Sequence, residues 1–366
     1  MNMKYLLYMS IAVVMGVVSI AIYVHSPKFG SLPGGNRLVR IQKSTNYRNG
    51  KFQNVYELRA NAPISKLGTY KKIFGIIGKF FTKKNDIVMP SVKVNLVNLN
   101  KNEDILVWFG HSSCFIQIEG KRMAIDPVFS DVSSPIPFFP VAFRGTNVYA
   151  ATEIPELDYL IITHDHWDHL DYETVRKLKA RQIICPLGVG AHFEHWGFDQ
   201  SKLLEMDWHD ELELQDGFRI MCCPTQHFSG RSFTHNQSLW GAFLLTTAGG
   251  FKIYIGGDGG YCPHFKEIGK KHGPIDVAIL ENGQYSENWK YIHMHPAETV
   301  MAAEDLRTKA LLPVHNSKFS LSTHPWNDPL NMITRLCKNK DVHLLTPMIG
   351  QKVNIRDTDQ LFSEWW

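Results

Sequence analysis

The chain has 366 residues, enough for one large domain with an appendage or for two domains. Its 44% hydrophobic and 20% charged residues exclude a disordered chain, and a formal charge of +4 is too mild to argue for a nucleic-acid partner. Six cysteines (Cys114, Cys185, Cys222, Cys223, Cys262 and Cys337) form no CxxC and no regular ladder, which excludes a disulfide framework or thiolate zinc site and leaves buried small hydrophobes.

Residues 5–24, "YLLYMSIAVVMGVVSIAIYV", carry no charge between Lys4 and Lys28 and have the length needed to cross a hydrocarbon core as helix. Residues 1–25 are expected to form a single-pass membrane anchor. The alternative is a signal segment cleaved near Ser19 and Ala21, which leaves a secreted or periplasmic protein. Residues 26–95 read as a lead-in. Within it, "SKLGTYKKIFGIIGKFFTKKND" (65–86) places Leu67, Tyr70, Phe74, Ile77 and Phe81 on one helical stripe among lysines. That spacing predicts a helix that packs on the domain or lies on anionic lipid.

From residue 96 to 366 the pattern is strands in pairs alternating with helices, an α/β layered domain. "DILVWFG", "CFIQIEG" and "RMAID" read as neighbouring strands, and "LDYLIIT" as another followed by a helix near "YETVRKLKA". "FRIMCCP", "FKIYIGG" and "ALLPV" follow, with a helix at "PAETVMAAEDL".

Directly after "LDYLIIT" comes "HDHWDHLD", residues 164–171, with three histidines and three aspartates. Extended geometry aims His164 and His166 the same way, and Asp168 with His169 follow after a turn. Neutral imidazoles with carboxylates are ligands for borderline divalent metals, zinc above all. Three more strand-like runs end on a metal-competent side chain: "FRIMCCPTQ" on His227, "FKIYIGG" on Asp258 and "ALLPV" on His315. Were these ends to share one rim, seven groups would converge on a two-metal site.

The chain resembles the metallo-β-lactamase superfamily, whose His-x-His-x-Asp-His signature "HDHWDH" matches. More closely it is similar to the N-acyl-phosphatidylethanolamine-hydrolysing phospholipase D branch and its bacterial relatives. The shared tags are "WFGHSSCFIQIEG", "AIDPVFS", "PTQHFSGR", "SLWGAFLL", "GGDGGYCPHFKEIGKKHGPIDVAIL", "IHMHPAETV" and "PVHNSKF". The resemblance implies a four-layer αββα sandwich and two Zn2+ ions: His164, His166 and His227 on one, Asp168, His169 and His315 on the other, Asp258 bridging both. It further implies a phospholipase D-type phosphodiesterase acting on an N-acylated phospholipid or related amphiphile through a hydroxide held between the metals. Asp258 and His293 would be the catalytic residues, His293 as a non-ligand acid. His295 stands where those relatives carry a carboxylate, and Glu281 and Gln284 in "ENGQY" replace a Pro-led stretch, so the lipid pocket is expected to differ. Two rival readings are a same-fold hydrolase of a lactone or β-lactam, and a non-catalytic metal-bound membrane scaffold.

Among other residues, Asp171 is a candidate acceptor for a ligand imidazole N–H, with a solvated loop carboxylate as the alternative. His111 reads as structural or as support for a ligand. His192, His195 and His209 read as solvated, and His235, His264 and His324 as candidates for the mouth. Trp240 reads as core. Arg144 reads as a phosphate partner or a salt bridge. The sequence leaves the oligomeric state open.

Overall fold

The computed structural model describes residues 3–56, 87–136, 138–232, 234–357 and 360–366. The predicted basic stripe at 65–86 lies outside them. The chain opens with α1 (Met3–Val24), whose 22 residues bury nothing against the protein. At 1.5 Å per residue it is about 33 Å long, sufficient to cross a bilayer core. A short α2 (Gly35–Gln42) and a hairpin of β1 (Tyr47–Arg48) and β2 (Lys51–Phe52) follow. Ile41 and Phe52 from this lead-in are fully buried in the central core, as is Met89.

Two seven-stranded sheets make the body. The first contains β3 (Ile105–Trp108), β4 (Cys114–Ile118), β5 (Lys121–Ile125), β6 (Leu157–Ile161), β7 (Ala180–Pro186) and β8 (Leu203–Met206). The second contains β9 (Glu211–Glu213), β10 (Arg219–Cys223), β11 (Ala242–Thr246), β12 (Lys252–Ile255), β13 (Ile275–Glu281), β14 (Thr308–Val314) and β15 (His343–Leu344). The late strand β16 (Lys352–Asn354) returns to pair with β3 at the edge of the first sheet.

Alternation along each strand explains the layering. In β3, Leu106 and Trp108 enter the layer between the sheets while Ile105 and Val107 face outward. In β12, Ile253 and Ile255 point inward and Tyr254 outward. Nearly every one of these positions is apolar because both faces are covered. Outside the first sheet lie α3 (Tyr172–Val175) and α4 (Gly190–His195), contributing Val175 and Phe193. Outside the second lie α5 (His264–His272), α6 (Pro296–Asp305) and α7 (Asp328–Cys337), contributing Phe265, Val300 and Ile333. The result is the expected αββα sandwich. Each large side chain buried there contributes roughly 1.5–3 kcal/mol. All six cysteines are buried and free, and Trp240 is core.

Strand direction positions the site. β5, β6, β7 and β8 are parallel, and β3 runs with them because two antiparallel steps separate it from β5. In the second sheet β12, β13, β14 and β15 are parallel, and β10 runs the same way by the same two-step argument. Within each sheet, therefore, the carboxyl ends of these strands share one rim, the usual place for a site in such sheets.

Candidate metal centre

Three of the predicted ligands are held by the segment beyond β6 and one strand of the facing sheet. His164 Nε2 lies 2.9 Å from His166 Nδ1, and His227 Nε2 lies 3.2 Å from the same atom. For ligands about 2.0–2.1 Å from a shared ion in tetrahedral array, mutual spacings near 3.3 Å follow. The outward nitrogens of two of these rings are tied back, as metal-ligating imidazoles require. His227 Nδ1 is 3.0 Å from the Ile292 carbonyl, and His164 Nδ1 is 3.1 Å from Thr163 Oγ1.

A second group contains Asp168, His169, His315 and also His111. Asp258 stands between the two groups. Its Oδ2 is 3.2 Å from His169 Nε2 and 3.9 and 3.8 Å from His164 and His227 Nε2, while its Oδ1 is 3.2 Å from His315 Nδ1. All seven residues read from strand endings are thus brought together. Asp258 is seated between Gly257, at φ +59°, and Gly259, where a Cβ would meet Thr225 Oγ1 at 2.0 Å. Side chains at these flanking positions would push the carboxylate off the rim.

The electrostatics suit a cation. Burial, then the neighbouring imidazoles, drives His164, His227 and His315 well below the ordinary histidine range, and burial takes His166 down to about 4. Neutral imidazoles are the form that binds metal. Burial opposes charge on His169, but Asp258, Asp126 and Asp168 together raise it well above the usual value. Burial lifts Asp258 to about 6 against the pull of His169. His169 Nε2 and Asp258 Oδ1, both turned into the cluster, are buried with no hydrogen-bond partner. Unpaired buried donor atoms of this kind fit divalent metal, which would take the place of the missing partners.

Several supporting residues escape sequence reading. Asp126, one residue past β5, places Oδ2 2.8 Å from His169 Nδ1 and takes the Thr163 N–H and hydroxyl at 2.8 and 2.6 Å. Asp171, the expected acceptor for a ligand N–H, instead caps α3 and accepts from Ser130 and the Thr174 hydroxyl. His111 is buried, with Nε2 2.9 Å from Asp168. His192 is not solvated: its Nε2 is 3.1 Å from Asp165, which also accepts from Gly230 and Ser238. His195 and His209 are exposed as expected. His264, a candidate for the mouth, is buried against Phe265 at the start of α5. His235 is exposed near Phe228, which packs on His166 and His227. His324 stacks on Tyr285 at 4.3 Å, and Arg144 is exposed, its carbonyl accepting from Met89.

His293 stands beside His227 and His315, with ring centroids 5.2 Å from each. Its side chain keeps 11% exposure where theirs keep 0–1%, so it faces the open side of the cluster. Glu281, the last residue of β13, places Oε2 2.7 Å from His293 Nδ1 and Oε1 2.8 Å from the Met294 amide. Gln284 does not enter this group: its side chain bridges the His315 and Phe319 carbonyls to the Leu321 and Ser322 amides.

The segment after α1 is fastened to the same motif. The Ser31 amide donates to His192 Nδ1 at 3.1 Å, Trp196 Nε1 donates to the Pro27 carbonyl at 2.6 Å, and Arg231 reaches the carbonyls of Lys28, Asp165 and Leu170.

Fold and cluster together define the class, a metal-dependent hydrolase of the metallo-β-lactamase fold. The chain belongs to the superfamily whose model, described as a beta-lactamase superfamily domain, matches residues 121–316. An uncharacterised protein of Mycobacterium tuberculosis is 32% identical over 332 residues, 89% of this chain and 88% of that one. An N-acyl-phosphatidylethanolamine-hydrolysing phospholipase D of Caenorhabditis elegans is 30% identical over 231 residues, 59% of this chain and 64% of the relative. Igni18, a metallo hydrolase of Ignicoccus hospitalis of known structure, superposes with a TM-score of 0.50 at 20% identity, over 69% of this chain and 98% of that one.

Proposed function

We propose that the chain is a membrane-anchored zinc phosphodiesterase of phospholipase D type, acting on an N-acylated phospholipid or a related amphiphile. The observation that carries this reading is Asp258 standing between two separate groups of imidazoles. His164, His166 and His227 would hold one zinc ion and Asp168, His169 and His315 the other, with Asp258 shared. Bound there, the ions supply Lewis acidity at phosphorus and a water acidic enough to lose its proton near neutral pH.

The chain's own residues complete the chemistry. Asp126 and His111 hold His169 and Asp168 in orientation. Burial pushes Glu281 well up, against the N–H groups of Met294 and Gly259, and pulls His293 down. The two therefore share one proton between Glu281 Oε2 and His293 Nδ1, and the ring carries its own proton on Nε2. Nε2 would give that proton to the leaving oxygen as the P–O bond breaks, while the shared proton passes from Glu281 to Nδ1. The apolar α1 supports a membrane tether, and the C. elegans relative supports a lipid substrate.

The test is turnover of bis(p-nitrophenyl) phosphate against a lactone panel by full-length protein, together with lipid analysis of membranes before and after incubation. Cleavage of the phosphodiester and loss of one phospholipid class are expected. Hydrolysis of lactones alone overturns the reading.

A further inference from the structure

The last turn of α1 meets the metal motif across an apolar groove of about 430 Å³, lined by Tyr23, Val24, Phe29, Ile136, Trp167 and Arg231. Its size is that of a small-molecule pocket. One wall is the end of the helix that is long and apolar enough to cross a membrane. The opposite wall is Trp167, the residue between His166 and Asp168. Phe29 joins the two, with its ring 5.7 Å from Tyr23 and 5.0 Å from Trp167 in edge-to-face contact. The Tyr23 hydroxyl donates to the Pro135 carbonyl, tying the neighbouring turn to the anchor. Arg231 sits over the Trp167 ring at 4.2 Å and donates to the carbonyls of Lys28, Asp165 and Leu170. Leu32 and Ile136, which share cavity walls with Val24, are 52% and 39% exposed at this end of α1. Apolar side chains left bare beside a membrane helix call for cover by hydrocarbon.

We infer that this groove binds one acyl chain of a phospholipid taken from the leaflet in which α1 ends, and brings that lipid's polar end to the metal cluster. The inference rests on the reading of the site as a lipid hydrolase and adds where the lipid enters and which residues hold it. The occupant is a lipid chain because the groove is continuous with the end of α1 and its rim is apolar.

The test uses full-length protein in vesicles of phosphatidylethanolamine and phosphatidylglycerol doped with a phosphatidylethanolamine bearing a terminal diazirine on one acyl chain. After irradiation, labelled peptides are mapped by mass spectrometry. Label is expected on the peptides holding Phe29, Ile136 and Trp167 as well as on α1. Ile136→Glu, which puts a charge at the groove, and Phe29→Trp, which fills it, should each lower the Trp167 label about fivefold or more, with α1 labelling unchanged. Label confined to α1, or Trp167 labelling unaffected by both variants, overturns the inference. Because the readout is contact and not turnover, a protein that labels in the groove yet cleaves no phosphodiester overturns the assigned reaction and leaves the groove standing.

Discussion

The first sheet delivers His164, His166, Asp168 and His169 from six consecutive residues beyond β6, whereas the second delivers His227, Asp258 and His315 singly from β10, β12 and β14. The loop carries short-range bonds of its own, the His169 and Leu170 amides both donating to the His166 carbonyl, beside long-range ones from Arg231, Asp126 and His111. The second set is held by distant chain. Asn54 of the lead-in brackets the His227 backbone on both sides, N–H and C=O. His315 sits at φ +66° and Ser317 at +60°, and their segment is pinned by backbone bonds between His111 and residues 315–316. Non-glycine residues in that left-handed region cost on the order of 1 kcal/mol each, so they persist only where the surroundings force them. Clustered ligands thus share one scaffold, while scattered ones each depend on sheet register.

The sharpest way to break this contrast is Asp258→Ala, which removes the one carboxylate serving both groups. Hydrolysis should fall about 10³-fold, a loss of roughly 4 kcal/mol in the transition state, with circular dichroism unchanged. Bound metal should fall with it. Retention of a tenth of wild-type turnover breaks the shared-carboxylate scheme.

A smaller effect separates two supporting carboxylates on the first-sheet side. Asp126→Asn, which touches His169 directly, should weaken metal affinity by about 10–100-fold in competition with a chelator. Asp165→Asn, which touches His192 and no ligand imidazole, should leave metal affinity within about twofold of wild type. Equal losses in both would show that the loop is held as a whole and not ring by ring.

A third effect, read as stability and not as metal affinity, concerns Lys318, which is fully buried, donates to the Val128 carbonyl at 2.6 Å and is pulled by burial to about 7. Its folded value lies below the unfolded one near 10.4, so between these limits the unfolded chain binds a proton the native chain lacks, and stability rises with pH. The unfolding free energy of wild type relative to Lys318→Met should therefore climb by about 1.4 kcal/mol per pH unit from pH 7.5 to 10 and stay flat below 7. Urea titrations at stepped pH measure it, and a flat difference throughout means the lysine is charged in the fold.

The sequence is most legible where information is local. The 164–169 motif, the length of the apolar segment in α1 and the two-residue alternation of the strands are properties of short windows, and the structure keeps them. Asp171 was also open to local reading: an aspartate directly before "YETV" is a helix-capping signal, and that is its role. His192 is expected at the surface and His264 at the mouth, yet α4 and α5 turn both inward, a burial set by long-range packing.

By itself the sequence determined which residues end the strands on metal-competent side chains, and that the chain would layer helices on strands. Those follow from periodicity and residue chemistry along a few positions. Only the tertiary structure decided the pairings of Asp126 with His169, Asp165 with His192 and Glu281 with His293, and the docking of residues 27–31 against the metal motif. A carboxylate has no periodic signature for its partner. The partner is set by which chain ends the sheet register brings within about 3 Å, and no local window contains that distance.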